Sequence, residues 1–174
     1  MSAGDCAKSL FVGVGNPHAG DDAVGRLVAD ILAQKNITGL VVKQSLGEAS
    51  ELIDLFEGYQ TVYCCDAVRC RKNAGQILFF EAHKKPLPVT LFSLTTHDFG
   101  LPQAIELARN IGSLPDKLIV YGITAENFQP SAKLSTPLKK ATRTVVDHIQ
   151  SICHLQTKQI PPEHLENFPN VRKI

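Results

Sequence analysis

Three separate stretches of this 174-residue chain carry residue types suited to chemistry. The first is Gly13-Val14-Gly15-Asn16-Pro17-His18-Ala19-Gly20-Asp21-Asp22, a glycine-rich segment closing in two acids. The second is Asp66, directly after the apolar run Thr61 to Cys65, and the third is Thr96-His97-Asp98. Two carboxylates about 5 Å apart at an effective dielectric of ~20 repel by roughly 3 kcal/mol. Such repulsion raises one of the two pKa values by about two units unless a cation lies between them. An imidazole beside Asp22 and Asp66 completes an O, O, N donor set. That set suits a borderline divalent metal with open coordination positions, the arrangement of metal-assisted hydrolysis. Asp22, Asp66 and His97 are therefore the expected catalytic and metal-binding residues.

Other chemistries fit the same residues less well. A dinucleotide fingerprint needs G-x-G-x-x-G, and His18 occupies the third glycine position. Two aspartates at a helix entrance also repel a pyrophosphate. A phosphate-binding loop fails because Gly20 is followed by Asp21-Asp22, not by Lys and Ser or Thr. Asp21 is expected to cap a helix or favour its positive end, and His18 to be peripheral. Cys64 and Cys65 point to opposite faces of a buried strand and read as small core residues. Cys70 lies among Arg69, Arg71 and Lys72, which favours its thiolate; pairing it with His97 as a nucleophile is a remoter reading. The same basic loop borders the expected crevice, where it attracts an acidic segment or a carboxylate.

Bringing residues 22, 66 and 97 together is a task for the elements between them. Ser9 to Asn16 is β-rich and closes into Gly, Asn and Pro, which predicts a strand followed by a loop. From Asp22 onward Ala23, Val24, Leu27, Val28, Ile31 and Leu32 recur at helical spacing. Leu40 to Gln44 is a second strand and Glu48 to Phe56 a second helix. Thr61 to Cys65 shows no polar alternation, as expected of a strand covered on both faces. Gly75 to Ala82 follows after only nine residues (66 to 74), and a parallel crossover needs about a dozen or more. This strand is accordingly expected to be antiparallel and at an edge. A helix from Leu101, a strand over Lys117 to Thr124 and a helix from Ser135-Thr136-Pro137 complete the pattern.

Alternating strands and helices predict an α/β three-layer sandwich: a twisted five-stranded, mostly parallel sheet with one antiparallel edge strand and helices on both faces. Right-handed crossovers place strands 2 and 3 on either side of strand 1. The carboxyl ends of strands 1 and 3 then flank a topological switch point, where open α/β sheets bind ligands. Residues 1–155 are expected to form this single domain, and 156–174 a loose or draped tail.

Composition narrows the class further. Hydrophobic residues make up 44% and charged residues 20% of the chain, enough apolar material for one folded core. Eighteen Lys and Arg against 17 Asp and Glu leave a net charge of +1, giving no electrostatic reason to expect nucleic acid or an anionic membrane as partner. No run approaches the ~18 apolar residues of a membrane span. The odd count of five cysteines, with no C-x-x-C pair, reads as reduced thiols in a cytoplasmic protein.

Four motifs in order give a specific resemblance: G-V-G-N-x-x-x-G-D-D-x-x-G (Gly13 to Gly25), D-A-V (Asp66 to Val68), T-H-D-F-G-L-P (Thr96 to Pro102) and Y-G-I (Tyr121 to Ile123). Together they resemble the hydrogenase maturation proteases, the endopeptidases that trim the large subunit of NiFe-hydrogenases. The resemblance runs from about Leu10 to the last helix and implies a five-stranded α/β fold. It also implies that a short C-terminal extension is removed from the precursor after nickel insertion, with the family's two acids on Asp22 and Asp66 and its histidine on His97. His18, Glu48 and the loop Arg69 to Gly75 depart from the family pattern, where an apolar residue, Thr and glycine-rich sequence are common.

The resemblance thus implies a monomeric cytoplasmic endopeptidase whose partner is a NiFe-hydrogenase large-subunit precursor. Nickel arrives with that substrate, and no tightly bound cofactor is expected in the isolated protein. The alternative is a non-catalytic nickel-sensing or nickel-delivery module using the same ligands.

Overall fold

The computed structural model describes residues 9–70, 72–92, 100–157 and 171–174. In chain order the strands are β1 (Ser9–Val14), β2 (Leu40–Ser45), β3 (Thr61–Arg69), β4 (Ile77–Glu81), β5 (Lys117–Ala125) and β6 (Val171–Lys173). The helices are α1 (Val24–Lys35), α2 (Ala49–Phe56), the single turn α3 (Val89–Phe92), α4 (Leu101–Ile111) and α5 (Thr136–Thr157). A short 3-10 turn, Gly20–Ala23, leads into α1.

The sheet order is β2-β1-β3-β5-β4-β6. Strands β2, β1, β3 and β5 are parallel, and β4 runs antiparallel to β5. As expected, β2 and β3 flank β1, and the short β3–β4 connection forces β4 to reverse direction. The α/β fold with a mixed sheet thus stands, with one addition. Residues 171–173, expected to be part of a loose tail, pair in parallel with β4. The sheet consequently has six strands, and β4 is interior.

Side-chain alternation along the strands builds two cores. On one face Phe11, Tyr63, Cys65 and Tyr121 pack under α1 and α5. On the other, Leu10, Val12, Val62, Cys64 and Val120 pack under α2 and α4. Cys64 and Cys65 thus do divide between the two faces. Local chemistry ends the helices. Asn36 closes α1 in the left-handed region (φ 46°), and Gly112 does the same for α4 (φ 76°).

Strand β3 is longer than its apolar run. Its pairing with β1 stops at Cys65, whereas its pairing with β5 continues through Arg69. Asp66 therefore sits inside β3 at the point where β1 turns away and leaves one side of the strand open. That divergence creates the crevice at the switch point.

Candidate active site

Glycines bring the Asp22 turn down onto the strands. A Cβ on Gly25, in the first turn of α1, would lie 2.1 Å from the Cys65 carbonyl oxygen and 2.3 Å from that of Val14. Gly15 has φ +138°, and a Cβ there would meet the Asp22 carbonyl oxygen at 1.9 Å. Only glycine lets α1 begin directly against β1 and β3, and this contact holds Asp22 at the mouth of the crevice.

Both expected acids are nearly inaccessible, Asp66 at 8% and Asp22 at 9% exposure. The Asn16 N–H donates to Asp22 Oδ2 at 2.8 Å, and the Ala67 N–H donates to Asp66 Oδ1 at 2.8 Å. Burial and, secondarily, the charge of Asp22 together push the Asp66 carboxyl up to about 8, the Ala67 hydrogen bond only partly opposing them. The Asp22 pKa is raised by burial as well, against the lowering effect of the Asn16 N–H. The two carboxyl groups thus interact electrostatically across the crevice, although Asp22 and Asp66 stand 44 positions apart in sequence.

His97 lies outside the described residues. The flanking residues Phe92 and Leu101 pack on the same sheet face as Cys64 and Val68, the face that strand alternation also gives Asp66. Among the described residues, no group of three His, Cys, Asp or Glu side chains is placed to hold a metal ion, so Asp22 and Asp66 stand there as a pair.

Asp21 does not cap its own helix. The 3-10 turn starts at Gly20, which puts Asp21 within the turn and aims its carboxylate at the segment after β5. Asp21 Oδ1 accepts the Ser135 N–H at 2.8 Å and Oδ2 accepts the Asn127 N–H at 3.1 Å. The residue is 1% exposed and clamps the 126–135 segment to the site. His18 is exposed, with its N–H donating to Asn16 Oδ1 at 2.9 Å. Cys64 and Cys65 are thiols whose pKa values rise far above normal through burial and, secondarily, the charge of Asp66. That removes both as nucleophiles at neutral pH.

Sequence reasoning gave no role to Asn16 or Asn127. Asn16 stands in the first motif, next to Gly15, where a polar residue facing an acid was the available signal. Asn127 had none, because its partner lies 106 positions away.

A doubly faced α/β sheet with buried, mutually repelling carboxylates at its switch point defines a protein whose site is built for a cationic or electrophilic ligand. The sequence profile of the hydrogenase maturation protease family matches residues 47–152. The chain belongs to that family, and by that membership is a peptide-bond hydrolase. It is 24% identical to the hydrogenase 2 maturation protease of Escherichia coli K12 over 145 residues, covering 82% of this chain and 88% of that protein. The solved hydrogenase maturating endopeptidase of Escherichia coli superposes with a TM-score of 0.68 at 20% identity, over 87% of this chain and 93% of the other. A hydrogenase 2 maturation peptidase from a Thaumarchaeota archaeon aligns at 26% identity and a TM-score of 0.59, over 85% and 99% of the two chains.

Proposed function

We propose that this endopeptidase removes the C-terminal extension of a nickel-loaded NiFe-hydrogenase large-subunit precursor, with Asp22, Asp66 and His97 meeting the nickel that the precursor carries. The observation behind this reading is the buried Asp22–Asp66 pair, in which Asp66 is held protonated up to about pH 8. An arriving cation removes the reason for that proton, because attraction to the metal favours the ionised carboxylate. A precursor without nickel gives no such compensation and leaves Asp66 protonated. The pair thereby ties productive binding to metal insertion.

Nickel on the substrate supplies Lewis-acid polarisation of the scissile carbonyl or of a water. For its part, the chain offers two carboxyl groups, one of which serves as general base once the metal has favoured its ionised form. An open groove of about 960 Å³ runs beside Asn16 and is lined also by His18, Arg26, Leu46 and Glu48. It has room for an extended polypeptide next to Asp22. We place the activity in the cytoplasm, with the protein acting as a monomer and holding no tightly bound metal of its own; among the described residues no helix is long and apolar enough to cross a membrane.

The test is incubation with nickel-loaded precursor and mass spectrometry of the product. Loss of a C-terminal fragment with the wild-type protein, and its absence with Asp66→Asn, is the expected result. Undiminished processing by Asp66→Asn would remove that residue from the site. Nickel binding with an intact precursor would instead favour a delivery module.

A further inference from the structure

Across the crevice from the groove, the rim carries an ordered cation that the acid pair does not use. Arg69 ends β3, three residues or about 10 Å along an extended strand beyond Asp66, and alternation turns it to the α1 and α5 face, where Phe128 packs, rather than to the face of Asp66. Its guanidinium lies over the Phe128 ring, with Cζ 5.1 Å from the centroid. Phe128 follows Asn127, whose N–H is held by Asp21, so the stack is tied to the same turn that presents Asp22. The other side is fixed too. The Cys70 N–H donates to the Ala125 carbonyl at 3.0 Å, and the Gly75 N–H to that of Thr124 at 2.7 Å. The Cys70 thiol donates to the Lys72 carbonyl at 2.6 Å.

Arg69 and Lys72 are both exposed. The ion pairs among the described residues join Lys84 and Lys173 to Glu81 and Arg109 to Glu106, none of them on this rim. A guanidinium laid on an aromatic face is oriented in advance and keeps its donor edge available for a carboxylate. Unlike a mobile lysine, it loses little freedom on binding one. At ~10 Å or more, about a Debye length, repulsion between a carboxylate held at this exposed rim and the acid pair is weakened by salt.

Building on the endopeptidase reading, we infer that Arg69, backed by Phe128 and assisted by Lys72, determines specificity by taking an acidic side chain of the substrate polypeptide at the rim of the crevice, on the side of the Asp21–Asp22 turn. An endopeptidase cuts within a chain, so a side chain rather than the chain terminus comes to a fixed distance from the site. A charge-assisted pair of this geometry selects which precursor is bound.

The experiment compares steady-state processing of nickel-loaded precursor by the wild type, Arg69→Glu and Arg69→Gln, with thermal midpoints measured alongside. Arg69→Glu is expected to raise KM about tenfold with kcat nearly unchanged, and Arg69→Gln to raise it less. A precursor whose Asp and Glu residues near the cleavage position are changed to Lys should restore Arg69→Glu and be a poor substrate for the wild type. Unaltered KM in both Arg69 variants overturns the inference. So does a fall in kcat accompanied by a lowered thermal midpoint, which marks the stack as merely structural. If instead a precursor lengthened by a neutral tail loses affinity while the charge-swapped one does not, the terminal carboxylate is the ligand and the side-chain assignment falls. Absence of processing by the wild-type protein would fail the proposed function itself, a result distinct from all of these.

Discussion

Asp21 and Asp22 are chain neighbours, both buried, and their carboxylates serve opposite ends. Asp21 accepts two backbone N–H groups from beyond β5, so its charge is compensated and its role is structural. Asp22 accepts one and lies within electrostatic reach of Asp66. From sequence Asp22 is the expected ligand and Asp21 a helix cap; what Asp21 holds instead is a segment more than a hundred residues downstream. The raised pKa of Asp66 gives this site a signature in stability. Its folded value is about 8 against an ordinary 3.8. Between those values the folded state keeps a proton that the unfolded chain has released. Raising the pH through that window therefore favours unfolding. Stability is unaffected by Asp66 below about pH 4, declines as the pH climbs towards 8, and loses nothing further above. Asparagine mimics the neutral acid. The metal-free Asp66→Asn protein should be more stable than wild type at pH 8.5, by on the order of a few kcal/mol, while the two converge towards pH 4. Denaturant titrations at stepped pH values measure this, and a wild-type stability that is flat from pH 5 to 8 would contradict it.

Among the elements, the contact of α1 with β1 and β3 decides whether the acids meet at all. Gly25→Ala forces a methyl group to within 2.1 Å of the Cys65 carbonyl oxygen, and neither helix nor strand backbone can yield without moving the other. Overpacking of this kind costs about 3 kcal/mol. Because the helix must lift off the sheet, Asp22 lifts with it. The expected outcome is a lowered denaturant midpoint together with processing reduced more than the stability loss explains; full activity in a folded Gly25→Ala protein would show that Asp22 does not depend on this contact. Periodicity made the central elements readable in advance, since each buries one stripe or one alternating face. The antiparallel sense of β4 was readable from the length of its connection. Two features were not. Strand β3 outlasts its apolar run because β5, not hydrophobicity, supports residues 66–69. The α3 turn after Pro88 is too short to carry a period. Of the candidate site, Asp22 and Asp66 were legible as candidates because acids at the ends of apolar runs are conspicuous. Their coupling was not, since it depends on glycine contacts between elements.

The molecule as a whole must also protect the edges of a sheet that holds its site in the middle. On the far side, β4 carries Ile77, Leu78, Phe79 and Phe80 in succession, a strand that would be adhesive if left open. Residues 171–173 cover it, and the Ile174 N–H extends the cover by donating to the Phe79 carbonyl at 3.2 Å. Three residues of pairing leave no hydrophobic period, which is why the tail read as loose in sequence. The exposed Arg172 and Lys173 give the new edge the charged character that discourages further strand addition. Lys173 lies 3.3 Å from Glu81, which Lys84 also contacts at 2.8 Å. Loss of that exposed contact alone costs at most about 1 kcal/mol. Deleting residues 171–174 should consequently lower stability little and change association a great deal. The shortened chain is expected to form dimers or larger species as its concentration rises, seen by light scattering coupled to size-exclusion chromatography, while the full chain stays monomeric. The two proteins should have closely similar far-ultraviolet circular dichroism, because the deleted strand is short and the cores under α1, α2, α4 and α5 do not include it. Identical elution at every concentration would mean that the β4 edge is guarded by something other than β6.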